Sequence, residues 1–257
     1  MNEVQEWFRS FTGEFAKDDG SLEPLLALKL HHSYRVSGEA ERIARKLGYD
    51  SALVTQAEVL GLLHDVGRFP QYRDFGTFYD AASVDHGELG WETVSKSGVL
   101  QFLEEGSRLA ILDGIRYHNK KEIPLGVRPE SLDMVRLVRD ADKLDVFELV
   151  QRYLEEGRIR ELLPRIPETG KISGDLLKAL AETGRASYSQ VASMADFLLV
   201  QLSWVFDLNY GPSFQRILDR RVIERIENRL PAEPCVRSII EKARGYARSF
   251  AVERGRP

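Results

Sequence analysis

The chain has 257 residues, 43% of them hydrophobic, which is enough for a full core and leaves room for one large domain or two small ones. A formal charge of -4 and a sequence pI of about 5.8 argue against a duplex nucleic-acid binder, although a local cationic pocket can still sit on an acidic protein. The single Cys235 excludes an internal disulfide and a cysteine-rich zinc site, and it fits a reducing cytoplasm.

Residues 3 to 15 place Val4, Trp7, Phe8, Phe11 and Phe15 at helical intervals. This amphipathic, aromatic helix leaves open a protein partner or a homodimer contact. A turn at KDDGS leads into a helix expected over 22 to 47, with Pro24 in its first turn and Gly48 closing it. Its buried stripe reads Leu25, Leu28, His32, Val36, Ala40, Ile43 and Leu47. Ser51 is the expected N-cap of a third helix, which runs to the pair His64-Asp65 and is ended by Gly67. Leu53, Ala57 and Leu60 stand behind His64 at helical spacing, so its imidazole belongs to an inward face. Residues 68 to 85, RFPQYRDFGTFYDAASVD, show no clear period and are expected to form an irregular pocket rim. Their aromatic residues suit either base or sugar stacking or core packing.

His86 opens another helical run, broken over Ser95 to Gly98. A helix over 107 to 118 leads through Ile111, Gly114 and Ile115 to His118, and NKKEIPLGVRP follows as a polar loop. The long helix expected over 130 to 156 presents Val135, Val138, Asp142, Val146 and Leu149 on one face. Asp142 is the one carboxylate on that stripe and needs a partner, because an unpaired buried charge is very costly. A mixed connector over 157 to 187 holds one helix near 175 to 182, and further helices are expected at about 189 to 207, 212 to 229 and 235 to 253. No strand-length alternation and no internal repeat is present. The expected architecture is an all-α helical bundle. It is read as a single domain over 1 to 257, with a core over 22 to 156 and a C-terminal helical extension over 157 to 257. No membrane span is expected, since Phe197 to Leu208 falls short of the roughly 20 apolar residues required. MNEVQEWFRS has no leader pattern, so a cytoplasmic protein is expected.

Four of the five histidines fall into one order with two aspartates: His32, His64-Asp65, His86, His118 and Asp142. Imidazole and carboxylate suit Mn, Fe, Ni, Co or Zn as divalent ions, with no thiolate to bias the choice. Six such ligands exceed what one ion takes while keeping an open position; they suit two ions sharing a carboxylate bridge. A bridged pair lowers the pKa of a shared water and clamps the attacking and leaving oxygens of a phosphoester.

The stretches LHHSYRVSGEA, GLLHDVGRF, SVDHGELG, IRYHNK and RDADKLD together resemble the HD superfamily of metal-dependent phosphohydrolases. In particular they resemble the branch with two extra histidines between the His-Asp pair and the final aspartate. The resemblance covers about residues 25 to 150 and implies a helical HD-type domain. It implies that His32, His64 and Asp142 hold one ion, His86 and His118 a second, and that Asp65 bridges them. His32 is favoured over His31 because it shares a face with Leu28 and Val36; His31 lies on an adjacent sector. Asp142 is favoured over Asp140 and Asp145 because it precedes the basic Lys143, as the family's ligand does, and the apolar stripe selects it independently.

Arg68 stands where some nucleotide-hydrolysing members carry an acid, which argues against a guanosine tetraphosphate hydrolase. A basic residue there is similar to the HD-GYP phosphodiesterases and the di-iron oxygenases, although the GYP signature is absent. An arginine grips two phosphate oxygens at once; the alternative for Arg68 is a salt bridge to Asp74 or Asp80. Lys120 and Lys121 extend a cationic rim or are merely exposed. The leading reading is therefore a metal-dependent phosphoric ester hydrolase acting on a small anionic phosphomonoester or phosphodiester. Asp65 and Arg68 would be catalytic, and Arg68, Lys120 and Lys121 would bind substrate. A di-iron oxygenase uses the same ligands and is the second reading. A non-enzymatic metal-binding sensor or interaction module is the third.

Overall fold

The structure, a computed structural model, describes residues 1 to 253, with side chains through residue 251. Among these residues every regular element is helical, as the sequence periods imply. The chain divides into two compact units, the first ending at Asp142 and the second starting at Lys143.

The first unit contains α1 (Asn2–Gly13), α2 (Pro24–Lys46), α3 (Ser51–Leu63), α4 (Arg68–Phe75), α5 (His86–Ser97), α6 (Glu105–Tyr117) and the first part of α7 (Leu132–Glu155). Pro24 opens α2, where its missing N–H costs nothing. The N-cap of α3 is Asp50, not Ser51: its carboxylate accepts the Leu53 N–H at 2.9 Å. Asp85 does the same for α5, accepting from the N–H groups of Gly87 and Glu88. The stripe of α2 is shifted at its start. Leu26 is buried in place of Leu25 and Leu28, while His32, Val36, Ala40, Ile43 and Leu47 are buried as expected.

Two glycines set how closely these helices approach. At Gly61 a Cβ would lie 2.8 Å from the Ser37 Cα and the Val36 carbonyl oxygen, so α3 meets the backbone of α2 there. Gly67 does not act as a left-handed cap. Its backbone is right-handed (φ -63), and what it requires is absence of a side chain: a Cβ would meet the His86 carbonyl oxygen at 2.1 Å and the Gly90 nitrogen at 2.6 Å.

Residues 68 to 85 are more ordered than their sequence suggests. Arg68 to Phe75 form α4, and Asp80 to Ala82 form a 3-10 turn. Pro70 is tolerated because it falls in the first turn. Phe69 is fully buried, and its ring meets Phe8, Phe11 and Phe15 at centroid distances of 6.3, 6.1 and 5.6 Å. The aromatic face of α1 is thus packed on α4. Burying a Phe of this kind stabilises by about 1.5 to 3 kcal/mol.

The second unit contains the rest of α7 with α8 (Ile159–Leu162), α9 (Gly174–Thr183), α10 (Met194–Ser203), α11 (Gly211–Asp219), α12 (Val222–Glu227) and α13 (Pro234–Glu253). The single helix expected over 212 to 229 is two, because Arg221 turns into the left-handed region (φ 52). That conformation costs about 1 to 2 kcal/mol, and after the turn Val222, Ile223 and Ile226 are all buried. Helix α10 starts later than expected, at Met194, where the Ser193 hydroxyl accepts the Asp196 N–H. Phe206, Phe214, Tyr246 and Phe250 form an aromatic cluster in this unit. No helix among the described residues is long and apolar enough to cross a membrane.

Candidate metal centre

Five helices bring the six residues of the sequence pattern to one place. His32 comes from α2, His64 and Asp65 from the end of α3, His86 from the start of α5, His118 from the end of α6 and Asp142 from α7. The four histidines and Asp65 are at most 5% exposed, whereas the Asp142 side chain is 28% exposed. His31 is exposed on α2 and takes no part. Of the three neighbouring aspartates, Asp142 is the one that joins His32 and His64.

The distances divide this set around Asp65. Its Oδ2 lies 3.5 Å from Nε2 of both His32 and His64, and its Oδ1 lies 3.4 Å from Nε2 of His86 and 3.6 Å from Nε2 of His118. Asp142 Oδ1 stands 3.1 Å from His32 Nε2 and 3.9 Å from His64 Nε2. Within the pairs, the two Nε2 atoms are 3.3 Å apart for His32 and His64 and 3.1 Å apart for His86 and His118.

The other ring nitrogens decide what these contacts can be. His64 Nδ1 donates to the Gly61 carbonyl at 2.8 Å, His118 Nδ1 to the Ile115 carbonyl at 2.8 Å, and His86 Nδ1 to Asp80 Oδ2 at 2.6 Å. Carbonyl and ionised carboxylate oxygens only accept, so in the neutral ring each Nε2 carries a lone pair. His86 and His118 therefore point two acceptors at each other. A shared proton is disfavoured, because burial first and the nearby Arg68 second push His86 down to about 4. Burial pushes His64 down to about 3. A divalent cation satisfies these lone pairs together with the carboxylates, and the donor set of neutral imidazole and carboxylate fits one.

Both carboxylates are ionised. Burial opposes this at Asp65, but the adjacent Lys29 ammonium holds its carboxyl well below the usual range. At Asp142 burial is likewise overcome, by the hydrogen bond from His32.

Around this core lie residues with less legible signals. Lys29 Nζ is 2.6 Å from Asp65 Oδ2. It precedes His32 by three residues on one helix, a spacing that places both on one face. Arg68 is held in place: Nη1 donates to Gln71 Oε1 at 2.8 Å, to the Phe78 carbonyl at 2.6 Å and to Asp80 Oδ1 at 2.8 Å, and Nε lies 3.6 Å from Asp65 Oδ1. Its guanidinium and the Lys29 ammonium both lie against the Phe78 ring, at 5.6 and 5.8 Å. Lys120 is ion-paired with Asp85, and Lys121 is exposed. Arg139, which no sequence signal marked, is buried and donates to the carbonyls of His118 and Lys120, fixing the loop after α6.

An all-α unit here gathers imidazoles and carboxylates from five helices, a donor set suited to a metal ion. Residues 30 to 146 match the HD domain family. That segment holds all six residues, and over it the chain is matched as an HD domain, a domain typical of metal-dependent phosphohydrolases. No curated protein and no solved structure matches the chain.

Proposed function

We propose that this protein is a phosphohydrolase that cleaves a small phosphomonoester or phosphodiester at a two-ion centre. The observation that carries the reading is the division of Asp65: one oxygen faces the His32 and His64 side, the other the His86 and His118 side. A carboxylate so placed suits a bridge. His32, His64 and Asp142 would hold one ion and His86 and His118 the other, as in the superfamily branch with two extra histidines. When bound, the ions supply an activated water and positive charge against the phosphoryl oxygens.

The chain's own residues supply the rest. Arg68 has its Nη1 bound to three protein acceptors, which fixes the plane of the guanidinium beside Asp65. Held in this way, the guanidinium is a preorganised cation for a phosphoryl oxygen, and preorganised charge needs no rearrangement during reaction. Lys29 adds a second cation on the opposite oxygen of Asp65. Both favour an anionic substrate. Lys121 remains a candidate for the outer rim, while Lys120 is engaged by Asp85.

The test is elemental analysis of protein purified without chelator, followed by hydrolysis assays on p-nitrophenyl phosphate and bis-p-nitrophenyl phosphate with Mn, Co, Ni and Zn. Two equivalents of metal and turnover that Asp65→Asn abolishes are expected. One equivalent, or no turnover of either ester with any of these ions, overturns the proposal. Two equivalents of iron with oxygen consumption would assign the di-iron oxygenase instead.

A further inference from the structure

Asp80 lies in the 3-10 turn between α4 and α5, and its two oxygens serve two different parts of the centre. Oδ2 accepts from His86 Nδ1 at 2.6 Å and from Asn119 Nδ2 at 3.2 Å. Oδ1 accepts from Arg68 Nη1 at 2.8 Å and from Gln71 Nε2 at 2.9 Å. Gln71 is itself fully buried and bonds onward to Ser83 and to the Val84 carbonyl, so the turn is tied down on both sides of Asp80.

We propose that Asp80 is a positioning residue that sets the His86 ring and the Arg68 guanidinium with a single carboxylate. The two tasks are geometrically linked. His86 is the first residue of its helix; its Nδ1 meets Asp80 Oδ2 at 2.6 Å and Asn119 Nδ2 at 3.3 Å, and of these two only the carboxylate can accept a proton from the ring. A carboxylate can only accept, which forces the proton onto Nδ1 and leaves the Nε2 lone pair facing His118 and Asp65 Oδ1. The same carboxylate draws Nη1 of Arg68 to the far side, which turns Nε towards Asp65 Oδ1. A carboxamide cannot do both: one of its two atoms is a donor and would face either an imidazole N–H or a guanidinium.

The proposal rests on the two-ion reading for its metal consequence but not for its proton. Two measurements on Asp80→Asn test it. In the metal-free protein, ¹⁵N-resolved NMR of the histidine rings should show His86 protonated at Nδ1 in the wild type and shifted from that tautomer in the variant. In the loaded protein, chelator competition should show the second ion weakened by about 10- to 100-fold, with the first unchanged. Asp80→Ala, which removes both acceptors without adding a donor, should behave in the same way. Asp80 is one-third exposed, so both variants should keep the wild-type helical circular dichroism. An unchanged His86 tautomer in Asp80→Ala, where no side-chain oxygen is left to accept from Nδ1, or unchanged affinity for the second ion, overturns the proposal. A wild-type protein that holds a single ion would instead overturn the two-ion reading, and the tautomer would still decide whether Asp80 sets His86.

Discussion

The Lys29 ammonium sits 2.6 Å from Oδ2 of Asp65, one helical turn ahead of His32. It occupies the side of the carboxylate that also faces His32 and His64, so in metal-free protein it supplies neutralising charge to a nearly inaccessible anion. Replacing it by methionine keeps the stem and removes the charge. Lys29→Met should destabilise the metal-free protein by about 1 to 3 kcal/mol, the cost of a buried acceptor left without its donor. The loss should shrink when saturating Mn takes over the neutralisation. Urea unfolding with and without metal checks this; an equal loss in both states would show that Lys29 does not share the ions' role.

The buried histidines make a pH prediction for the metal-free protein. His64 and His86 are pushed down to about 3 and about 4 from an ordinary value of 6.5. The folded state therefore refuses protons that the unfolded chain accepts. Their contribution to stability is complete above the unfolded value and is lost as pH falls through the folded values. Between pH of about 6.5 and 4, each such group adds a slope of about 1.4 kcal/mol per pH unit. Urea midpoints should fall steadily through that range. A midpoint that stays flat there would mean that the rings are already protonated in the folded state.

The site was more legible in the sequence than the elements that carry it. His32, His64 and Asp142 could be read because each interrupts an apolar stripe, and a polar interruption in a core needs partners; Asp65, His86 and His118 could be read through their order in the pattern that resembles the HD superfamily. The partners that hold them could not be read in the same way. Asp80 lies in a short turn with no period, and Gly61 and Arg139 act through backbone atoms, which leave no pattern of side chains. Helix α4 was hidden because Phe69, Tyr72 and Phe75 give no polar face, and because Pro70 reads as a breaker unless its place in the first turn is known. The break at Arg221 lies inside a continuous apolar period, so nothing local announces it.

Phe69 tests the packing that hid α4. Its ring is the common neighbour of Phe8, Phe11 and Phe15, and it follows Arg68 directly. Phe69→Ala should cost about 3 to 5 kcal/mol through lost transfer energy and an unfilled cavity. Phe69→Leu should cost less, since it keeps most of the volume. Thermal melts of the two variants give the ranking. Equal and small shifts would mean that α1 and α4 do not depend on this contact.

Gly67 couples that packing to the candidate metal centre. Its right-handed backbone suits any residue, so the cost of a side chain there is steric alone. The atoms in the way, the His86 carbonyl oxygen and the Gly90 nitrogen, belong to the backbone of α5 and cannot rotate aside. Gly67→Ala must therefore push α5 away from the turn that carries Asp65, and His86 moves with it. The expected cost is about 1 to 3 kcal/mol, in the range of core overpacking, with weaker metal retention on the His86 and His118 side. Gly38 is the control: it lies inside α2, and a Cβ there meets nothing within 4 Å. Gly38→Ala should stabilise by about 0.5 to 1 kcal/mol through helix propensity. Melting temperatures of the two variants should thus move in opposite directions, and only Gly67→Ala should lose metal. If Gly67→Ala keeps wild-type stability and metal content, α5 does not approach the His-Asp turn as closely as described.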